Sequence, residues 1–113
     1  MQPIAPVTLE SIRAAAERIA GLACRTPLVP LEIDGPARIY LKLENLQPIG
    51  SFKLRGAGNA LALADPSQLS KGVYTASAGN MAQGLAWVAR DRQIPCTIAV
   101  PETAPRTKLE AGF

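Results

Sequence analysis

From Leu9 onward, apolar residues recur at helical spacing: Leu9, Ile12, Ala16, Ile19 and Ala23 fall on one stripe. Thr8 precedes them as a candidate N-cap. The pattern predicts an amphipathic helix ending between Gly21 and Arg25, where Thr26-Pro27 breaks it. Pro27, Pro30 and Pro36 keep the next segment irregular or extended. The period then shortens to two. Ile39, Leu41 and Leu43 alternate with Arg38, Tyr40 and Lys42, which predicts a strand over residues 38–43.

Gln47-Pro48-Ile49-Gly50 reads as a loop, and Ser51 can cap a helix over residues 52–64. Its apolar stripe is Leu54, Ala57, Leu61 and Ala64. Asp65-Pro66 stops it, and Gly72 opens a short strand over residues 73–75. Ser77-Ala78-Gly79-Asn80 is a loop before a helix over residues 81–91, with Ala82, Leu85, Ala86 and Ala89 inward. Residues 96–100 form a third strand, ended by Pro101, and Pro105 suits the first position of a last helix.

Alternation of helices and strands predicts an α/β fold, a three-layer arrangement of a parallel sheet flanked by helices. Crossovers in such a sheet are right-handed. Ligands bind beyond the carboxyl ends of its strands. The loops at 45–52 and 76–80 each follow a strand and precede a helix, so both are expected at one edge of the sheet.

Composition narrows the function classes. At 113 residues and 48% hydrophobic, the chain can build one ordinary core and does not look disordered. The net charge of +3 is scattered and aromatics are few, which argues against a nucleic-acid partner. The N-terminal MQPIAPVTLE lacks the charged start and apolar run of a secretory signal. Apolar runs are too short to span a membrane. There is no histidine, which removes the commonest general base and metal ligand. Cys24 and Cys96 lie far apart in no metal-binding pattern and are expected to be small buried residues. With no disulfide framework, a reducing, cytoplasmic location is expected.

Lys53 and Arg55 stand where a helix begins, although a helix N-terminus favours anions. In the first turn the local field favours a neutral amine over an ammonium, and partial burial against Phe52 acts the same way. A neutral amine is what a Schiff-base nucleophile requires. Position alone leaves two other readings open. Lys53 is a solvated lysine, or it joins Lys42 and Arg55 in a cationic cluster for an anionic ligand. Arg55 is expected to pair with an acid such as Glu44 rather than to catalyse. The small residues of Ser77-Ala78-Gly79-Asn80 let backbone N–H groups at a helix start face a carboxylate or phosphate. The Asn80 amide can cap that helix or donate to a ligand oxygen.

"LKLENLQPIGSFKLRGAGNAL", then "TASAGNMAQGLAWVAR" and "CTIAVPETAPRTKLEA", together resemble the serine/threonine dehydratase group of pyridoxal-phosphate enzymes, with the tryptophan-synthase-β-like fold. Thr26-Pro27-Leu28 adds to the likeness, which covers nearly the whole chain. The resemblance implies pyridoxal 5'-phosphate as cofactor and a small amino acid as substrate. It implies that Lys53 is the lysine that condenses with the cofactor aldehyde. Phe52 stands beside it against the cofactor ring, and Asn80 donates to the cofactor's 3'-oxygen. Ser77, Ala78, Gly79 and Asn80 form the loop that grips the substrate carboxylate. The implied reaction is β-elimination from serine, threonine or a related 3-hydroxy amino acid, giving a 2-oxo acid and ammonia. Lys53, displaced by the substrate amine, takes the Cα proton.

Two positions depart from the family pattern. Ile49 stands where threonine is usual and Met81 where histidine is usual; both bear on loop packing and on the substrate side chain. The family's glycine-rich phosphate loop has no counterpart here, and Gly56, Gly58 and Gly84 are expected to serve close helix packing. The chain is thus expected to be an incomplete N-terminal fragment with impaired activity. Residues 1–48 would belong to the family's larger domain and residues 49–113 to the smaller cofactor domain. The full-length form is expected to be a homo-oligomer. A racemase, a β-replacement enzyme and a non-catalytic anion-binding or interaction module are the alternatives.

Overall fold

The computed structural model describes residues 4–104, together with 106 and 110. Helix α1 spans Leu9–Arg18. Thr8 caps it as expected: its Oγ1 accepts from the Ser11 N–H at 3.1 Å, and Ser11 Oγ accepts from the Thr8 N–H at 3.2 Å. The helix ends earlier than the apolar spacing predicts. Ile19 takes the C-cap and Gly21 adopts a φ of +80°, so the chain turns before Ala23. No residue within α1 is buried; Ile19, just past it, is.

Of the two forms expected after Pro27, irregular or extended, the structure has the extended one, as a paired strand. β1 (Leu28–Leu31) pairs antiparallel with β2 (Ile39–Lys42), Leu28 opposite Lys42 and Leu31 opposite Ile39. Pro30 is tolerated because β1 is an edge strand. Every β2 residue is exposed, so its alternation does not turn one face into a core.

A single 3-10 turn, Glu44–Leu46, leads to α2 (Lys53–Leu63). Leu54, Ala57, Gly58 and Leu61 form the buried stripe of α2. Asp65 stops α2 but also starts a short helix absent from the sequence reading, α3 (Pro66–Leu69). Its carboxylate accepts from the Ser67 N–H at 2.8 Å, and Pro66 sits at the first helical position.

β3 (Val73–Ala76), α4 (Asn80–Asp91) and β4 (Cys96–Ala99) form a parallel β-α-β unit with Val73 opposite Cys96. Gly72, at φ +92°, lets the chain pass the Pro95 carbonyl, which a Cβ would meet at 2.9 Å. α4 buries Ala82, Gly84, Leu85, Val88 and Ala89, while Ala86 is only half-buried. The core is Leu54, Ala57 and Leu61 of α2 against Leu85 and Val88 of α4, flanked by Leu22, Ile49, Val73, Trp87 and Ile94.

The fold is a partial α/β domain. Its parallel sheet has two strands; the strand over 38–43 belongs to the separate antiparallel pair. The expected last helix begins at Pro105, which lies outside the described residues; Arg106 and Glu110 are helical. Among the described residues no helix is long and apolar enough to cross a membrane. Both cysteines are exposed rather than buried: Cys24 lies in the segment between α1 and β1, and Cys96 is the first residue of β4.

Candidate functional site

The two notable loops do not share one sheet edge, since β2 lies outside the parallel sheet; the first loop instead meets α4, the helix that the second loop starts. Helix packing brings them together. A Cβ on Gly84 would sit 3.3 Å from the Lys53 backbone C and O, and 3.4 Å from Ile49 Cδ1. The glycine therefore lets the second turn of α4 lie against the first residue of α2. Asn80 lies one turn before Gly84, about 6 Å along the axis. Gly58 likewise accommodates Leu22, whereas Gly56 faces open space and serves no packing contact.

Phe52, not Ser51, takes the N-cap position of α2, with helical φ and ψ of −68° and −13°. Ser51 still contributes: its buried Oγ accepts from the Lys53 N–H at 3.4 Å. The half-buried Lys53 side chain folds back so that Nζ lies 5.0 Å from the centroid of the Phe52 ring. The ring itself is 58% exposed and keeps open surface for a ligand.

The expected cationic cluster is divided by its partners. Lys42 Nζ donates to the Thr26 carbonyl. Arg55 forms a fork with Glu44, Nε to Oε2 at 2.9 Å and Nη2 to Oε1 at 2.8 Å, as its sequence position suggests. Among the described residues no carboxylate lies within ion-pair distance of Lys53 Nζ. Glu44 is held far below its ordinary 4.5, to about 2, chiefly by the Arg55 hydrogen bond; bonds from Thr26 and Gln47 assist and burial opposes. Arg55 is raised by the same pair.

In the second loop, the Ser77 N–H continues the ladder to the Ala99 carbonyl at 3.1 Å, and the Gly79 N–H donates to Ser77 Oγ at 3.2 Å. Those two donors are occupied, so the grip expected of all four residues narrows. The N–H groups of Ala78, Asn80 and Met81 find no acceptor among the described residues. Gly79 is the N-cap of α4 and Asn80 its first residue, so the Asn80 amide does not cap the helix and stays exposed. An anion placed there would meet open donors and the positive end of the helix.

The arrangement fits a planar, anionic carbonyl compound. It offers an amine without an acid partner, an exposed aromatic ring beside it, and open N–H groups one helical turn from the Gly84–Lys53 contact. No cluster of metal-ligating side chains occurs among the described residues.

The family model described as pyridoxal-phosphate dependent enzyme matches residues 19–111. The chain belongs to the pyridoxal-phosphate dependent enzymes. Pyridoxal phosphate is accordingly the cofactor of its family. The chain is 44% identical to a serine racemase of Dictyostelium discoideum over 98% of its own length and 35% of the relative's. It is 48% identical to an L-threo-3-hydroxyaspartate ammonia-lyase of a Pseudomonas species, over 86% of the chain and 31% of the relative. The crystal structure of a pyridoxal 5'-phosphate-dependent aspartate racemase superposes with a TM-score of 0.84 at 38% identity, covering 98% of the chain and 36% of that structure. The chain thus spans about a third of the length of the relatives it matches. These likenesses place the described elements in the fold that the sequence resemblance implies.

Sequence reading did not find the partners of Glu44 beyond Arg55. Thr26 and Gln47 also bind its carboxylate, and Gln47 binds both backbone groups of Cys24. The one local signal is the three-residue spacing of Glu44 and Gln47 in a 3-10 turn.

Proposed function

We propose that the protein carrying this chain uses pyridoxal phosphate to eliminate water from a 3-hydroxy amino acid such as serine, threonine or 3-hydroxyaspartate, releasing a 2-oxo acid and ammonia. The observation that carries this reading is the Lys53 amine: it stands without an acid partner beside an exposed ring, where the start of α2 lies against the second turn of α4. The ammonia-lyase relative supports the choice of reaction.

When bound, the cofactor supplies an electron sink for charge developing at the substrate Cα. Lys53 Nζ is the group that condenses with its aldehyde. With the substrate amine bound to the cofactor, the freed Nζ would serve as the base that takes the Cα proton. Phe52 would flank the cofactor ring, and the exposed Asn80 amide would donate to a ring oxygen. The open N–H groups of Ala78 and Asn80, in a loop braced by Ser77 and Gly79, hold the substrate carboxylate. Loss of the β-hydroxyl with the Cα proton, as water, would leave an unsaturated amino acid, and addition of water to its imine form would release ammonia and the 2-oxo acid. In this reading residues 49–113 belong to the cofactor-facing domain and residues 1–48 to a larger one.

A second reading, racemisation, is supported by the 44% identity to a serine racemase. Both reactions begin with the same proton removal. They part when the proton returns to the opposite face or the hydroxyl departs.

The test is covalent. Pyridoxal phosphate is added, the adduct is reduced with borohydride, and the labelled peptide is mapped. The label is expected on Lys53 and lost in Lys53→Ala. A label confined to Lys42 or Lys71 refutes the assignment. With L-serine as substrate, a 2-oxo acid indicates elimination and D-serine indicates racemisation.

A further inference from the structure

The loop that carries Lys53 is closed by side chains for which the proposed chemistry has no use. Glu44 Oε1 accepts from Thr26 Oγ1 at 2.7 Å and from Arg55 Nη2 at 2.8 Å. Its Oε2 accepts from Arg55 Nε at 2.9 Å and from Gln47 Nε2 at 3.0 Å. Gln47 also clasps Cys24, donating to its carbonyl at 2.8 Å and accepting from its N–H at 2.9 Å. Arg55 Nη2 reaches the same carbonyl at 2.9 Å. Thr26 and Gln47 are 5% and 4% exposed. Among the described residues no buried side-chain polar atom is left unpaired.

We propose that Glu44 and Gln47 are positioning residues, which lock the loop before α2 and the first turn of α2 onto the segment 24–26 and so orient the Lys53 amine toward its carbonyl partner. The inference rests on the Lys53 assignment above. Three features of the network support it. First, Glu44 and Arg55 are eleven positions apart and bracket the loop, with Lys53 two residues before Arg55. Within that bracket, the Gly50 N–H donates to the Gln47 carbonyl at 2.8 Å, and Ser51 Oγ accepts from the Lys53 N–H. Second, α2 has no acidic residue in its first turn and no side-chain cap, although it carries two cations there. Glu44 supplies the missing anion from outside the helix. A forked pair fixes angle as well as distance, which a point charge would not. Third, the N-terminal segment is docked by other contacts. Arg18 Nε donates to Asn59 Oδ1 at 2.7 Å, and Leu22 packs over Gly58. Losing Glu44 would therefore loosen the loop and leave that docking in place. Every acceptor site on the carboxylate is occupied, so the group has no capacity left for substrate or proton transfer.

The experiment uses the chain with pyridoxal phosphate as probe. The readouts are the borohydride-trapped label at Lys53 relative to Lys71 in the same sample, and the induced circular dichroism of the bound chromophore. Glu44→Gln keeps the shape and removes the charge. Arg55→Lys keeps the charge and loses the fork, and it serves if Glu44→Gln does not fold. Thr8→Ala is the control, because it weakens α1 away from the network. Both network variants are expected to lower the Lys53-to-Lys71 ratio, Glu44→Gln by about tenfold and Arg55→Lys by less, and to lose most of the induced signal. Thr8→Ala should retain both. An unchanged ratio in both network variants overturns the positioning role while the Lys53 assignment stands. An equal fall in Thr8→Ala and the network variants reduces the network to general stability and also overturns it. A wild-type chain unlabelled at Lys53 removes the functional reading and this inference together.

Discussion

The half of the chain built on α2 and α4 buries its side chains; the half built on α1 and the β1–β2 pair buries almost none. Leu54, Ala57 and Val88 are fully buried, and Leu61 and Leu85 nearly so. In the other half, Leu9, Ile12, Leu28, Ile39, Tyr40 and Leu41 are all exposed. A two-stranded pair open on both faces has little stability of its own. The N-terminal half is held instead by Ile19 and Leu22 against α2, and by the polar bonds around Glu44. Apolar burial therefore stabilises one half, while a small apolar contact and a set of hydrogen bonds fix the position of the other. The candidate site stands at their junction.

The contrast is broken most directly by truncating one leucine from each half. Leu54→Ala removes a side chain with no exposed surface, from the centre of the α2–α4 core. It should destabilise the chain by about 2–5 kcal/mol. Leu41→Ala removes a side chain that is 40% exposed in β2 and should stay within about 0.5 kcal/mol of the parent. Denaturant unfolding monitored at Trp87, which packs against the core, measures both. Equal losses would mean that the hairpin contributes to the same cooperative core.

Acid should act next, through the junction. Glu44 titrates about 2 in the folded chain against an ordinary 4.5. A carboxyl depressed on folding contributes stability that is fully present above its unfolded value. That stability is lost as pH falls from about 4.5 toward about 2. Arg55 is one-third exposed, so solvent and salt screen the pair, and the contribution is about 1–2 kcal/mol rather than the full linkage value. Unfolding free energy measured from pH 6 to pH 2 should fall across this window in the parent. In Glu44→Gln the Glu44 share of that fall should vanish. A variant with the same acid slope as the parent would place the titration elsewhere.

This division also explains what was legible beforehand. The stripe Leu54, Ala57, Leu61 and the inner positions Ala82, Leu85 and Ala89 were readable because their partners lie on one another's helices. A helical period then reports real burial. The same period in α1, and the alternation in β2, correctly marked a helix and a strand but not a core. Leu9, Ile12 and Leu41 remain 62%, 54% and 40% exposed. The β1 strand was hidden by Pro30, which argues against a strand except at an edge. Lys53, Phe52 and the loop from Ser77 to Asn80 were singled out through motif and position. Their nearness was expected from a shared sheet edge, but the means was not legible: β2 lies outside the parallel sheet, and the approach depends on Gly84 passing the Lys53 backbone. The bonds from Thr26 and Gln47 were the least legible. They join residues 18 and 23 positions distant, and no periodicity reports a hydrogen bond at that range.

The smallest expected effect compares two glycines of α2, one facing open space and one facing the N-terminal half. Gly56 looks into open space, so Gly56→Ala gains helix propensity without a new contact. It should stabilise by about 0.5–1 kcal/mol. Gly58 faces Leu22, which would have to turn away from an added Cβ; Ile19 Cγ2 would lie 3.4 Å from it. The same propensity gain is then opposed by overpacking, and Gly58→Ala should show no increase in stability, or a decrease. Because Leu22 and Ile19 carry the N-terminal half, the opposing strain should concentrate there. Hydrogen exchange should speed up in α1 and β1–β2 in Gly58→Ala, while the α2–α4 core stays protected. Equal gains in the two variants would mean that Leu22 does not dock on α2. The polar network would then be left to join the halves alone.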